Sequence, residues 1–270
     1  MESKAASDVK ARLKRLVAEP RARGFDLESA EATAAHARII RDKPFLRKLY
    51  ERYYAEFARA DRDAPGGARV EIGSGGGFLD RLVSGLVRVD VRPGAEVDLI
   101  ASALALPFAA RSVGVVFMLN VFHHLPDVSV FFSELGRVLA PGGRVVMIEP
   151  YASPFSGIVY RLAHHEPFDP DQADWPVAGS GAMTAANGAL PWIVFERDRA
   201  RFESEHPRLE IVRVVPHTIS LYALSGGLSY KSLAPGFSFS AIAAAEDLLC
   251  RVPLTRALAS MMTIELRNGG

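Results

Sequence analysis

The feature that most constrains this chain is Val70-Glu-Ile-Gly-Ser-Gly-Gly-Gly-Phe-Leu-Asp80, a short apolar strand that runs into a glycine-dense turn and then a helix-like pattern. It reads as a nucleotide-type cofactor loop. Side chains at Gly73, Gly75 and Gly77 would hold a ligand away from the backbone, and successive N–H groups at a helix start favour a carboxylate or phosphate. The order around the loop sharpens this reading. Glu71 stands before the first glycine, and a second strand, Leu86–Asp90, ends in an acid placed to accept both ribose hydroxyls. An acid about 20 residues past the loop does this in dinucleotide folds.

The segments around the loop have α/β spacing. Residues 1–62 read as helical, with Leu46, Leu49, Tyr50, Tyr53 and Phe57 forming an apolar stripe, and Pro65-Gly-Gly67 closes that lead-in. Strands are expected at 69–72, 86–90, 97–101, 113–119 and 144–149, with a helix from about 77 and another over 127–139. Alternating strands and helices imply a parallel sheet whose right-handed crossovers put every strand's C-terminal end on one edge, where ligand is held. Residues 150–206 read as an irregular, functional insertion rich in proline and aromatics. A strand at 209–215, a second insertion over 218–258 with a helix at about 240–250, and a closing strand at 261–267 complete the pattern.

Composition excludes several classes. With 270 residues, 49% of them hydrophobic, the chain can bury a substantial core, so disorder is not the default. Residues 1–69 carry 16 Lys and Arg against 11 Asp and Glu. That small basic excess suits a solvated helical face better than a nucleic-acid footprint, so no nucleic-acid partner is expected. The single Cys250 allows no intrachain disulfide and no Cys-x-x-Cys cluster, which fits a cytoplasmic setting. No signal-peptide core and no run of 18 apolar residues is seen, so neither export nor stable membrane insertion is expected. The apolar stretch 241–262 is broken by charges and by Pro253, and a packed helix explains it better than a lipid-surface one.

Over residues 68–150 the chain resembles a class I S-adenosylmethionine-dependent methyltransferase of the type-11 methyltransferase branch. The resemblance rests on Glu71-Ile-Gly-Ser-Gly-Gly-Gly77, Val89-Asp90, Leu106-Pro-Phe108, Asn120-Val-Phe-His-His-Leu125 and Leu139-Ala-Pro-Gly-Gly-Arg144, in that order. It implies a Rossmann-like α/β sheet of seven strands, the last antiparallel and inserted between the fifth and sixth. It also implies S-adenosyl-L-methionine as cofactor and S-adenosyl-L-homocysteine as product. The expected organisation is a helical cap (1–64), a cofactor-binding core (65–150), a substrate-side insertion acting as lid (151–208) and a C-terminal completion of the sheet with a helical insertion (209–270). The expected cofactor-binding residues are Glu71, Gly73, Ser74, Gly75, Gly77, Asp90, Ser102, Ala103, Leu104, Asn120, Val121 and His124. Ser102 departs from the family, where an Asp commonly bonds the adenine amino group. A hydroxyl or the Ala103 backbone can serve instead.

Methyl transfer requires alignment, exclusion of water and, for a hydroxyl acceptor, a base. His123, His124, His165 and Glu166 are the catalytic candidates. The His123-His124 pair follows the fourth strand, where a structural or cofactor-lining role competes with that of base. Glu149, Tyr151, His164, Trp175, Asn187 and Trp192 are the candidates for holding substrate, because aromatic walls with a few placed polar groups make a small-molecule pocket. The Tyr160–Asp169 segment could hold an acceptor or a divalent cation, but its adjacent histidines, His164 and His165, lack the i, i+4 geometry that places two ligands on one helical face, and no metal site is assigned.

Asn120-Val-Phe-His differs from the Asn-Pro-Pro-Tyr of enzymes that methylate amide or base nitrogens. The expected acceptor is therefore a small molecule, methylated on an oxygen of a sugar, lipid or secondary metabolite. A non-catalytic binding or regulatory protein on the same fold is the alternative. A nicotinamide oxidoreductase is disfavoured, because Phe78 stands where the third glycine of Gly-x-Gly-x-x-Gly would fall.

Overall fold

The computed structural model describes residues 17–22, 24, 26, 29–163, 166–177 and 186–270. His164 and His165, named above as site candidates, and residues 1–16 of the expected helical lead-in lie outside the described residues.

Two helices open the described chain, α1 (Ala30–Asp42) and α2 (Pro44–Arg62). Ser29 caps α1 by accepting the Ala32 N–H, and Pro44 sits at the start of α2, where its missing N–H costs nothing. The apolar stripe on α2 buries Phe45, Leu46, Leu49, Tyr53, Tyr54 and Phe57. The sheet then builds from β1 (Ala68–Ile72), β2 (Leu86–Asp90), β3 (Leu99–Ile100), β4 (Val113–Leu119), α3 (Val128–Val138) and β5 (Leu139–Pro150). After β5 come α4 (Pro154–Ala163), a turn of helix at Leu190–Trp192 that runs on as a π turn, and α5 (Arg199–Glu205). The chain ends through β6 (Leu209–His217), α6 (Leu221–Ser225), α7 (Phe239–Leu249) and β7 (Met261–Asn268).

The strand order is β3-β2-β1-β4-β5-β7-β6, with β7 antiparallel to both its neighbours and the other pairings parallel. This is the seven-stranded arrangement expected from the resemblance. Alternation along the central strands feeds two cores. Val116, Met118, Val145 and Met147 face one that holds α3 and the post-β5 segment, while Val115, Phe117, Val146 and Ile148 face the one that holds α2 and α7. On the second face Phe57 stacks on Phe117 at 5.2 Å, and Phe45 meets Phe239 edge-on at 5.1 Å. The helix expected near 240–250 is thus packed through Phe239, Ala243 and Glu246.

Three local expectations need correction. In place of a helix from about 77 there is a single 3-10 turn, Leu79–Arg81. The chain must reverse at Gly85, in the left-handed region at φ +70°, to begin β2, so only one turn fits. The expected strand at 97–101 contracts to two residues, because Asp98 is drawn aside to pair with Arg88. The insertion after β5 is not irregular throughout: α4, α5 and the π turn lie in it. The π turn and α5 form where Phe195 and Phe202, with Trp175, meet Phe132 of α3, a tertiary cluster that periodicity does not reveal, and α4 stacks Tyr160 on Phe168. Among the described residues no helix is long and apolar enough to cross a membrane.

Candidate functional site

The C-terminal ends of β1, β2 and β4 open onto a cavity of about 590 Å³. Its floor is the glycine loop. Gly73 and Ser74 donate their N–H groups to the Val89 carbonyl, which ties the loop to β2, and the Gly75 N–H donates to Asp90 Oδ2 at 3.0 Å. Asp90 is 4% exposed and its Oδ1 accepts the Arg92 N–H at 3.0 Å. A carboxylate offers about four lone-pair positions, so two remain for the hydroxyls of a ribose.

The glycines serve different purposes. A Cβ on Gly73 would press into Val121 and one on Gly77 into the buried Tyr54 hydroxyl, so these two glycines permit protein to pack on protein. At Gly75 (φ +48°) the nearest atom to an added Cβ is the Gly73 carbonyl oxygen at 3.8 Å, so that side opens onto the cavity. The ligand-clearing role assigned to all three from sequence therefore belongs to Gly75 alone.

Glu71 is 3% exposed, and its Oε2 has no hydrogen-bond partner among the described residues; the same holds for the buried Ser74 Oγ. Burial, reinforced by the nearby charges of Asp80 and Asp90, pushes the Glu71 carboxyl up to about 8. An unpaired buried acid beside a bare glycine backbone is suited to a cationic, hydrogen-bonding ligand that would pair with its ionised form. S-adenosylmethionine is such a ligand. Its ammonium and sulfonium are cations and its ribose carries a diol for Asp90, so the residues present fit this cofactor. On the wall expected to face adenine Ser102, Ala103 and Leu104 line the cavity, and Ser102 Oγ accepts the Leu104 N–H at 3.1 Å while keeping its own hydrogen to donate.

At the end of β4 Asn120 adopts φ +55°, a left-handed conformation that Asn tolerates, and its N–H donates to the Ile148 carbonyl. The turn that follows, Phe122–His124, is built around a buried acid from β5. Glu149, wholly buried, accepts the Val121 and Phe122 N–H groups through Oε1, at 2.8 Å each, and holds His123 Nδ1 at 2.6 Å through Oε2. The other ring nitrogen, His123 Nε2, lies 3.3 Å from Glu166 Oε2, and His124 Nε2 lies 3.7 Å from Glu166 Oε1. Burial works against charge on His123, but the carboxylates of Glu149 and Glu166 outweigh it and raise its pKa to about 9. With both ring nitrogens held by carboxylates, His123 fits the structural role weighed in the sequence against that of base. It clamps Glu166, from beyond α4, onto the sheet edge.

The structure brings many of the sequence candidates to the cavity: Glu71, Gly73, Ser74, Gly75, Gly77 and Asp90 on the loop side, Ser102, Ala103 and Leu104 on the adenine side, and Asn120, Val121, His123, His124 and Glu166 opposite. Others lie elsewhere. Glu149 sits beneath the cavity and shapes the turn. Trp175 is 1% exposed, packs against Phe132 and donates its indole N–H to Asp198. Asn187 spends its side chain on Asp169, Gln172 and Ala189, although its backbone N–H reaches the His123 carbonyl. Tyr151 and Trp192 pack against the first core. These side chains build the segment around the site and do not line the cavity, because aromatic composition does not reveal which side of a covering segment its rings face.

Sequence reasoning missed the roof. Ile40 of α1, Leu46, Tyr50 and Tyr54 of α2, and Tyr160, Tyr222 and Leu228 all line the cavity. Burial raises the hydroxyl pKa values of Tyr50, Tyr54, Tyr160 and Tyr222, so these rings remain neutral hydrogen-bonding groups. The one available signal was the pair Tyr50 and Tyr54, polar tips one turn apart on an apolar stripe.

Comparison with known proteins converges on the same residues. Residues 70–147 match the family model described as a methyltransferase domain. Over 75 residues the chain is 40% identical to an uncharacterized methyltransferase of Mycobacterium tuberculosis, covering 27% of this chain and 29% of that protein. Over 72 residues it is 42% identical to the demethylmenaquinone methyltransferase of Thermus thermophilus, covering 26% and 33%. These matches thus span about a third of the curated relatives' length. Among solved structures, the geranyl diphosphate C-methyltransferase of Streptomyces coelicolor aligns over 99% of this chain and 100% of its own, at 18% identity and a TM-score of 0.48. The domain match covers β1 through most of β5, the strands whose ends carry Glu71, Asp90 and Asn120, and the chain therefore carries a class I S-adenosylmethionine-dependent methyltransferase domain.

Proposed function

We propose that the protein transfers a methyl group from S-adenosylmethionine to a small-molecule acceptor, at an oxygen of a sugar, lipid or secondary metabolite. One observation carries this reading: a single cavity of about 590 Å³ holds the unpaired Glu71 carboxyl and Asp90 at one side and the Glu166 carboxylate with His124 at another. That volume is in the range of small-molecule sites.

When bound, the cofactor supplies an electrophilic methyl group on a sulfonium, which an aligned nucleophile displaces in line. Glu71 and Asp90 hold the cationic and ribose portions. Leu46, Tyr50 and Tyr54 cover the loop and exclude water, which strengthens every charge interaction beneath them. Glu166 is the carboxylate that borders the cavity beside His124, and it accepts the proton that a hydroxyl acceptor gives up. His123 holds Glu166 in position, and Glu149 holds His123.

Calorimetric titration with S-adenosylmethionine and S-adenosylhomocysteine, with NADH as control, tests the reading. Micromolar binding of the first two and none of NADH is expected; no binding of either refutes it. Asp90→Ala is expected to weaken binding by about 1.5–3 kcal/mol through lost charge-assisted hydrogen bonds. The commitment of both His123 ring nitrogens to carboxylates favours one second reading, a cofactor-binding regulatory protein without transfer. Turnover with an acceptor separates the two.

A further inference from the structure

The turn at Phe122–His124 and the segment after α4 bring together three side chains whose donor atoms suit a cation. One ligand atom each from His123, His124 and Glu166 lies within 4.8 Å of the others. His123 Nε2 lies 3.3 Å from Glu166 Oε2, close to the edge of roughly 3.3 Å of a tetrahedron with bonds of about 2.0–2.1 Å, and His124 Nε2 lies 3.7 Å from the other oxygen, Oε1. Consecutive residues of a 3-10 turn normally point about 120° apart. Here the two imidazole rings lie 4.2 Å apart, tilted by 39°, and both border the cavity.

The surroundings of His123 match those of a metal ligand. Its Nδ1 is committed to Glu149, a wholly buried carboxylate pinned by the Val121 and Phe122 N–H groups. A carboxylate on the far nitrogen fixes the ring orientation and leaves Nε2 as the donor, the outer-shell arrangement found behind metal-bound histidines. Nε2 and Glu166 Oε2 converge at 3.3 Å, a separation that a cation bound to both would span.

We propose that His123, His124 and Glu166 form a divalent-cation site, preferring Zn2+, whose open coordination position faces the cavity. Two imidazoles and one carboxylate are a borderline donor set that suits zinc, and three protein ligands with a fourth position open is the pattern of sites that bind a substrate oxygen. The acceptor would then be an oxygen ligand, an alkoxide or carboxylate, that completes the coordination. The site goes beyond the transferase reading and is tested apart from it, because metal affinity is read without cofactor and cofactor affinity without metal; with the cation bound, Glu166 serves as a ligand in place of its role as proton acceptor.

The test is calorimetric titration of chelator-treated full-length protein with ZnCl2 at pH 8, for wild type, His124→Ala and Glu166→Gln. Expected are one equivalent bound by the wild type and affinity weaker by at least about tenfold in both variants, with the circular dichroism spectrum unchanged. The absence of binding, or equal affinity in wild type and folded variants, overturns the proposal. Loading the wild type with Co2+ gives a reading that needs no variant. Intense visible bands of a four- or five-coordinate ion support the site, and the weak spectrum of the hydrated ion overturns it. Failure of S-adenosylmethionine to bind would sink the transferase reading and leave the metal result standing.

Discussion

Cofactor binding by this domain should expel a proton, and the proton should come from Glu71. Its carboxyl is buried, lacks a partner for Oε2 and has its pKa pushed up to about 8, so the free protein at pH 7 holds it mostly protonated. A cationic ligand requires the ionised form. The apparent affinity is therefore the intrinsic one multiplied by the ionised fraction, about one half at pH 8, one tenth at pH 7 and one hundredth at pH 6. Affinity for S-adenosylmethionine should fall about fifty-fold from pH 8 to pH 6, or about 2.3 kcal/mol, with close to one proton released per cofactor at pH 6. Calorimetry in buffers of differing ionisation enthalpy counts that proton. Glu71→Gln should abolish the release and flatten the profile below pH 7. Equal release with S-adenosylhomocysteine, which has the ammonium but no sulfonium, would assign the ammonium to Glu71. Release below about 0.3 proton at pH 6, or the same slope in the Gln variant, would refute the pairing of Glu71 with a cofactor cation.

The other expectations separate ligand space from protein packing. Gly75→Leu should keep the fold, at about 1–2 kcal/mol for its left-handed φ, while cofactor binding is lost; Gly77→Ala should destabilise the fold by about 1–3 kcal/mol by displacing Tyr54. Chemical denaturation and cofactor titration of both variants check the contrast, and unchanged affinity in Gly75→Leu would remove the loop from the site. Trp175→Ala should cost about 3–5 kcal/mol and leave cofactor affinity unaltered, because the indole fills core beside Phe132 and not the cavity; an undiminished melting temperature contradicts this. Burial lowers the His217 pKa to about 4, so the unfolded chain binds the extra proton between pH 6.5 and 4. Stability should be full above pH 6.5 and fall by about 2 kcal/mol as pH drops to 4.5, a decline that His217→Gln should remove; a flat profile in the wild type refutes it.

What was legible in the sequence follows the range of the forces involved. The strands β1, β2 and β4 are runs of local apolar pattern and form where that pattern places them, whereas β5, expected at 144–149, begins at Leu139 and includes Pro141–Gly143. The loop from Gly73 to Gly77 and the acid at Asp90 are likewise local signals, since bare backbone and a strand-end carboxylate need only their neighbours to reach the cavity. The single turn at Leu79–Arg81 and the helix α5 of the post-β5 segment were not legible, because the first is set by where β2 must begin and the second by Phe132 reaching Trp175 and Phe202.

By itself the sequence determined the α/β class, the parallel sense of the core strands and the edge on which a ligand is held, because side-chain periodicity and crossover handedness leave few alternatives. Only the tertiary structure decided what surrounds that ligand. It placed Tyr50 and Tyr54 over the loop, turned Trp175 and Asn187 away from the cavity, and closed the chain of Glu149, His123 and Glu166 across separations of 26 and 43 residues. The charge on His123 and the protonation of Glu71 are products of burial and of neighbours distant in sequence, and a linear pattern carries no information about either.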